Sequence, residues 1–132
     1  MKKFSLSGKE RIKSKKEFDL IYSTGKTIYS EDKKIKALYI KNRTNEIPGV
    51  KIAVAISKKS GNSVWRNRVR RIIKEIFRLN KESLLAACRK KRVLLNVIFS
   101  AYSINEKNNK KVQYCNVSPP VLDIINKLEN EI

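Results

Sequence analysis

Residues 63–80 divide into two incompatible faces when wound as a helix. At about 3.6 residues per turn, Trp65, Val69, Ile72, Ile73 and Ile76 gather on one side, with Phe77 at its edge. Asn67, Arg70, Arg71, Lys74 and Arg78 gather on the other, with Arg66 and Arg68 on the flanks. The first face has to be buried and the second has to stay out of the core. A chain containing this segment therefore needs a core against one side of the helix and solvent, or a polyanion, against the other.

The basic face works against its own helix. Arg66–Arg70, Arg70–Lys74 and Lys74–Arg78 are like-charge pairs four residues apart, each costing roughly 0.2–0.5 kcal/mol in an isolated helix. Arg66 and Arg68 sit near the N-terminal end, where the macrodipole favours anions. Arg71–Glu75 is the one pairing expected to offset this repulsion. A purely structural helix mixes signs on its exposed face, so this one reads as a phosphate-binding surface.

The rest of the chain supports that reading. Its formal net charge is +19, from 31 Lys and Arg against 12 Asp and Glu in 132 residues. All the excess lies in residues 1–100, which hold 27 basic and 8 acidic side chains; residues 101–132 hold 4 of each. A field of that size repels itself unless a polyanion neutralises it, and nucleic acid is the usual polyanion. Lys outnumbers Arg by 22 to 9 overall, yet residues 66–78 hold five Arg and one Lys. Guanidinium groups fork onto phosphate and stack on bases, whereas an ammonium is a point charge.

Several chemistries are excluded. There is no histidine, hence no His general base, no Ser-His-Asp triad and no His metal ligand. Cys88 and Cys115 stand 27 positions apart without a CxxC partner, too few ligands for zinc; they read as two thiols, with a disulfide as the alternative. The sequence carries no GxGxxG, no Walker A loop and no carboxylate pair suited to two-metal chemistry. A self-contained enzyme is not expected. No apolar run approaches ~18 residues, and the first ten residues lack the apolar core of a secretory signal, so the expected location is the cytoplasm, with no membrane partner.

The expected organisation is a single domain over 1–132, of α+β class. Residues 1–10 read as a flexible basic arm. Ser14 can cap a helix over 14–24, on which Phe18, Ile21 and Tyr22 share a side, with Gly25 as its stop. Strands are expected at 35–41 and 50–57, joined through the Asn-, Pro- and Gly-containing turn 42–49 as a hairpin. After the polar connection 58–63 and the helix 63–80, a short second helix is expected at 81–88. A basic run follows at Arg89-Lys90-Lys91-Arg92. Residues 93–99 are almost unbroken apolar and suit a central strand. Residues 103–118 read as a long loop. A terminal helix is expected at 119–132, with Pro119 and Pro120 at its start and Val121, Ile124, Ile125 and Leu128 facing the core.

The block Ser57-Lys58-Lys59-Ser60-Gly61-Asn62-Ser63-Val64-Trp65-Arg66-Asn67-Arg68-Val69-Arg70-Arg71-Ile72-Ile73-Lys74-Glu75-Ile76-Phe77 resembles the signature of the bacterial ribonuclease P protein subunit. The pattern is a basic Lys-Lys-x-Gly-Asn loop leading into Arg-Asn-Arg. Upstream, Arg11, Phe18, Tyr22, Gly25 and Ala37-Leu38-Tyr39 fall in the family's order, so the resemblance spans about residues 11–100. The stretch 25–37 is longer than usual in the family, and 103–118 replaces a short connection.

The resemblance implies a small α/β sandwich. A central sheet of about four strands carries helices, with a left-handed βαβ crossover through the Arg-rich helix. It implies a partner-dependent endoribonuclease: a catalytic RNA, assisted by magnesium bound at the RNA, removes the 5′ leader from precursor tRNA, and the protein itself holds no catalytic residue and no metal. Lys58, Lys59, Asn62, Arg66, Asn67, Arg68, Arg70, Arg71 and Lys74 would contact the catalytic RNA. Phe18, Tyr22 and Tyr39 would line a cleft for the single-stranded leader, since aromatic stacking tolerates any base; by pattern alone Phe18 and Tyr22 also suit a core-facing stripe. No protein oligomer is required. The alternative is a ribosomal or other structural RNA-binding protein, and the Arg-Asn-Arg block argues against it. A double-stranded DNA reader would need Gln, Ser or Asn at base-reading positions.

Overall fold

The computed structural model describes residues 11–12, 14–43 and 47–132; the basic arm expected at 1–10 lies outside them, as does the middle of the turn 42–49. Helix α1 (Lys15–Thr24) begins at Ser14, whose Oγ accepts the Glu17 N–H at 3.1 Å. Strands β1 (Lys26–Tyr29), β2 (Ile35–Arg43) and β3 (Gly49–Val54) follow. Helices α2 (Ser63–Asn80) and α3 (Glu82–Lys91), strand β4 (Val93–Ala101) and helix α4 (Tyr114–Glu131) complete the chain. No helix of the described residues is long and apolar enough to cross a membrane.

The sheet runs β1-β2-β4-β3. β4 is central, as its apolar run implies, and is buried from Val93 to Phe99 apart from half-buried Leu94. It pairs antiparallel with β2, Ile35 opposite Ala101 through Arg43 opposite Val93. It pairs parallel with β3, Gly49 opposite Leu94 through Val54 opposite Phe99. The expected β2–β3 hairpin is therefore wrong. A strand apolar on both faces is best buried between two others, and β4 takes that place although it comes last in sequence. β3 reaches β4 through α2 and α3, a βαβ connection through the Arg-rich helix as expected.

The sheet separates two apolar clusters. On one face Ile35, Ala37 and Tyr39 of β2 and Leu95, Val97 and Phe99 of β4 pack against α2, α3 and α4. On the other, Ile98 packs with Ile12 and Ile21 of the N-terminal segment and α1, joined by half-buried Phe18, Leu38, Ile40, Ala53 and Ala55. This division follows the two-residue alternation of a strand.

Three details differ from expectation. β1 is a short edge strand paired with β2 (Lys26 opposite Tyr39), and four residues, mostly exposed, carry too little pattern to announce it. α4 begins five residues before Pro119. Gln113 and Asn116 cap it reciprocally, the Gln113 N–H donating to Asn116 Oδ1 at 2.9 Å, and Pro119 and Pro120 lie inside the helix. The run Arg89–Lys91 is the last turn of α3, where cations suit the helix dipole, and Arg92 ends it in a left-handed conformation at φ 54°. The two cysteines are free thiols, Cys88 buried and Cys115 exposed.

Gly25 does end α1, through close approach. Its N–H donates to Ile21 O at 2.8 Å, and a Cβ there would stand 2.4 Å from that same oxygen and 3.2 Å from Leu38 Cγ. Only a residue without a side chain lets the helix end settle on β2.

Candidate nucleic-acid interface

The site begins at the loop before α2. Lys58 and Lys59 stand exposed on a single 3-10 turn, Lys58–Ser60. Asn62 caps α2, its Oδ1 accepting the Trp65 N–H at 2.9 Å. The buried face of α2 is Trp65, Val69, Ile73, Ile76 and Phe77. Phe77, expected at the edge, is fully buried, and Ile72 is only half-buried. The stripe has rotated slightly because Phe77 meets Phe99, with ring centroids 6.1 Å apart.

The opposite face carries the basic residues as the sequence implies. Arg66 Nε donates to Gly61 O at 3.1 Å, and Arg68 Nε donates to Val112 O at 2.6 Å. Arg70 Nη1 donates to Asn67 Oδ1 at 2.5 Å. In Arg66 and Arg68 the Nε is thus held by a backbone carbonyl. The forked Nη1/Nη2 end is the part suited to a phosphate.

The expected Arg71–Glu75 pair is not formed. Glu75 pairs instead with Arg78 (Arg78 Nε to Glu75 Oε2, 3.1 Å). The Arg78 hydrogen bond and charge hold the Glu75 carboxyl below its ordinary range. Arg71 is exposed and takes no carboxylate partner among the described residues. The one acid of α2 is spent at the far end on Arg78, which leaves Arg71 in the unpaired part of the basic face instead.

Arg11 joins this face and was not anticipated in it. It bridges to Ile52 along the outer edge of β3, with the Ile12 N–H donating to Ile52 O at 3.0 Å. Its charge, with burial and Arg70, pushes the Lys74 ammonium below its ordinary pKa, burial being the largest cause. Like charges brought together this way are relieved by an anion. Nothing local in the sequence signals that the charges at positions 11 and 74 influence each other.

Glu106 was also missed. Its carboxylate accepts the Asn62 backbone N–H at 2.9 Å and Asn62 Nδ2 at 3.1 Å. A Cβ on Gly61 would stand 3.0 Å from Glu106 Cβ and 2.7 Å from the Trp65 ring, which explains a glycine between two side chains that close over it.

The three aromatic positions are not brought together. Phe18 is half-buried on the α1 face, and Tyr22 is exposed at 56%. Tyr39 is 3% exposed and belongs to the core on the opposite face. Burial, with the charge and a hydrogen bond of Glu131, raises its phenol above the usual pKa. Most of its side chain lies across the sheet from Phe18: strand alternation turns Leu38, one residue earlier, to the α1 face. A groove of about 320 Å³ is lined by Leu20 and Thr24 of α1, Lys26 of β1 and Tyr39, Ile40, Lys41 and Asn42 of β2, so Tyr39 reaches its wall while Phe18 and Tyr22 do not line it.

A protein-family model described as Ribonuclease P matches residues 6–116. The ribonuclease P protein component of Clostridium botulinum is 38% identical over 104 residues, 78% of this chain and 84% of that protein. That of Syntrophus aciditrophicus is 36% identical over 87 residues, 66% and 69% of the two chains. The solved structure of the ribonuclease P protein from Thermotoga maritima has the same fold. It superposes with a TM-score of 0.67 at 22% identity, covering 92% of this chain and 96% of that one.

Proposed function

The chain belongs to the ribonuclease P protein family, and from that premise we propose how its surfaces divide the work on precursor tRNA. As the protein subunit of ribonuclease P it serves an endoribonuclease of tRNA processing, and its partner is the ribonuclease P RNA. In this family the RNA carries out the hydrolysis. The protein's share is binding.

The α2 face docks on the catalytic RNA. The observation that carries this is the arginine geometry: Arg66 and Arg68 are anchored through Nε on carbonyls, beside an exposed Arg71 without a carboxylate partner among the described residues. Lys58, Lys59, Asn67, Arg70 and Lys74 extend the surface, and Arg11 adds to it. Precursor tRNA is the substrate, and its single-stranded 5′ leader runs along the α1 face past Phe18 and Tyr22, the exposed ring of Tyr22 offering a stacking platform. Tyr39, mostly buried, offers that leader only the part of its surface that lines the groove beside Leu20 and Thr24.

Magnesium belongs to the RNA in this reading. Among the described residues no three Cys, Asp or Glu side chains converge where they could hold a metal ion. The complex works in the cytoplasm, where precursor tRNA is made.

The test is reconstitution. The full chain is added to a bacterial ribonuclease P RNA transcript, and precursor-tRNA cleavage is followed at magnesium too low for the RNA alone. Restored cleavage at the mature 5′ end supports the reading; no effect on cleavage or on RNA binding overturns it.

A further inference from the structure

Hydrogen bonds from three residues of α2 and its cap reach the segment after β4, each across 44 positions. They join Asn62 to Glu106, Trp65 to Asn109 and Arg68 to Val112. Positions 62, 65 and 68 advance by three, a little under one helical turn, so they form one stripe of the helix. A constant separation means the second segment advances in step with that stripe. Residues 106–112 lie along α2 as a strap.

The strap is fixed at both ends. Ile104 and Val112 are buried in the main core. Between them the Glu106 N–H donates to Ser60 O at 2.7 Å, and Trp65 Nε1 donates to Asn109 O at 2.8 Å. Lifting it would expose apolar side chains and leave the Trp65 donor without its partner, which is costly. It is therefore not a cover that RNA displaces.

Its contacts orient functional groups. Glu106 accepts the backbone N–H and one side-chain N–H of Asn62, which leaves Asn62 Oδ1 to cap α2. Val112 O takes Arg68 Nε. An arginine side chain carries much rotamer entropy, and one already ordered loses less of it on binding.

We propose that the strap 104–112 is a positioning element of the RNA interface, with Glu106 holding Asn62 and Val112 O holding Arg68 ready for the backbone of the catalytic RNA, and that Glu106 is its principal positioning residue. This rests on the reading of α2 as the RNA-docking face. The acid is placed where electrostatics alone would disfavour it, beside the residues meant to meet a polyanion. Its return is geometric.

That opposition of sign makes the test decisive. Equilibrium binding of the full chain to a bacterial ribonuclease P RNA transcript is measured for wild type, Glu106→Ala, Glu106→Gln and Arg68→Ala. Removing a negative charge from a polyanion-binding surface tightens binding on charge alone. Positioning predicts the reverse for Glu106→Ala, a loss of roughly three- to tenfold, the scale of one or two hydrogen bonds. Glu106→Gln keeps an acceptor and binds within about twofold of wild type on the same scale. Melting curves show that each variant is folded, and Glu106→Ser replaces the Ala variant if that one is not. Glu106→Ala binding as tightly as wild type, or more tightly, overturns the proposal while Arg68→Ala still weakens binding. If wild type and Arg68→Ala bind alike, the RNA-docking reading itself fails.

Discussion

Phe18 and Tyr39 lie on opposite faces of one sheet. Phe18 packs beside α1's Ile21 and β4's Ile98, whereas Tyr39 packs under α4 with Ala37 and Val97. Both are aromatic residues that the family pattern sets near a leader cleft. In this chain the helix residue can serve that cleft and the strand residue serves the core.

Tyr22→Ala and Tyr39→Ala should therefore separate cleanly. Tyr22 is exposed, so its loss should change stability by no more than about 0.5 kcal/mol. It should weaken binding of leader-bearing precursor tRNA, relative to mature tRNA, by roughly 1–3 kcal/mol. Tyr39→Ala should cost about 3–5 kcal/mol of stability and leave the discrimination intact in the folded fraction. Denaturant titration with paired tRNA binding checks both. A normal preference for the leader in folded Tyr22→Ala would remove Tyr22 from the contact.

Arg68→Ala should weaken assembly with the catalytic RNA by about 1.5–3 kcal/mol, the scale of charge-assisted hydrogen bonds. Arg89→Ala should change it far less, because Arg89 is an exposed residue of the last turn of α3. Direct binding of each variant to the transcript gives the comparison. Equal small losses would point to diffuse attraction.

Affinity for the RNA should fall steeply with salt. Each phosphate neutralised adds about 0.7–0.9 to the negative slope of log affinity against log salt. Arg66→Ala should reduce that slope by about one contact's worth on this scale. A titration from low to moderate salt measures it, and a flat response would contradict phosphate docking.

Stability should decline on the alkaline side through Cys88. Burial pushes its thiol up to about 11 from 9.0, so between those values the folded state keeps a proton that the unfolded state releases. Folding stability falls as pH rises through that window. Tyr39, also raised, adds to the fall higher up, while Lys74, lowered, opposes it. The difference between wild type and Cys88→Ala isolates the thiol: the variant's denaturant midpoint should drop less between pH 9 and 11. Parallel curves would show that Cys88 does not titrate with unfolding.

What was legible differs by element. α2 was readable to its ends because eighteen residues sample five turns, and the apolar and basic positions keep their phase. α1 was readable from Ser14 and Gly25, although Gly25 acts by close approach. β1 was not, being short and mostly exposed. The start of α4 was misplaced because prolines suggest a first turn, and the Gln113–Asn116 cap carries no strong sequence signal. Lys58, Lys59, Asn62 and the basic residues of α2 were all legible as a local block. Arg11 and Glu106 were not, because each enters the site from a distant segment.

The sequence by itself determined that α2 has a buried and a basic face, that β4 is central, and that the chain meets a polyanion without supplying histidine chemistry. Those are properties of segments, and periodicity and charge report them directly. Only the tertiary structure decided that β4 separates β2 from β3, that Tyr39 faces the core, that Glu75 pairs with Arg78, and that residues 106–112 track α2. In each case several partners were compatible with the local pattern. The choice went to whichever arrangement buried the most apolar surface and left the fewest donors unmet, a competition settled across the whole chain.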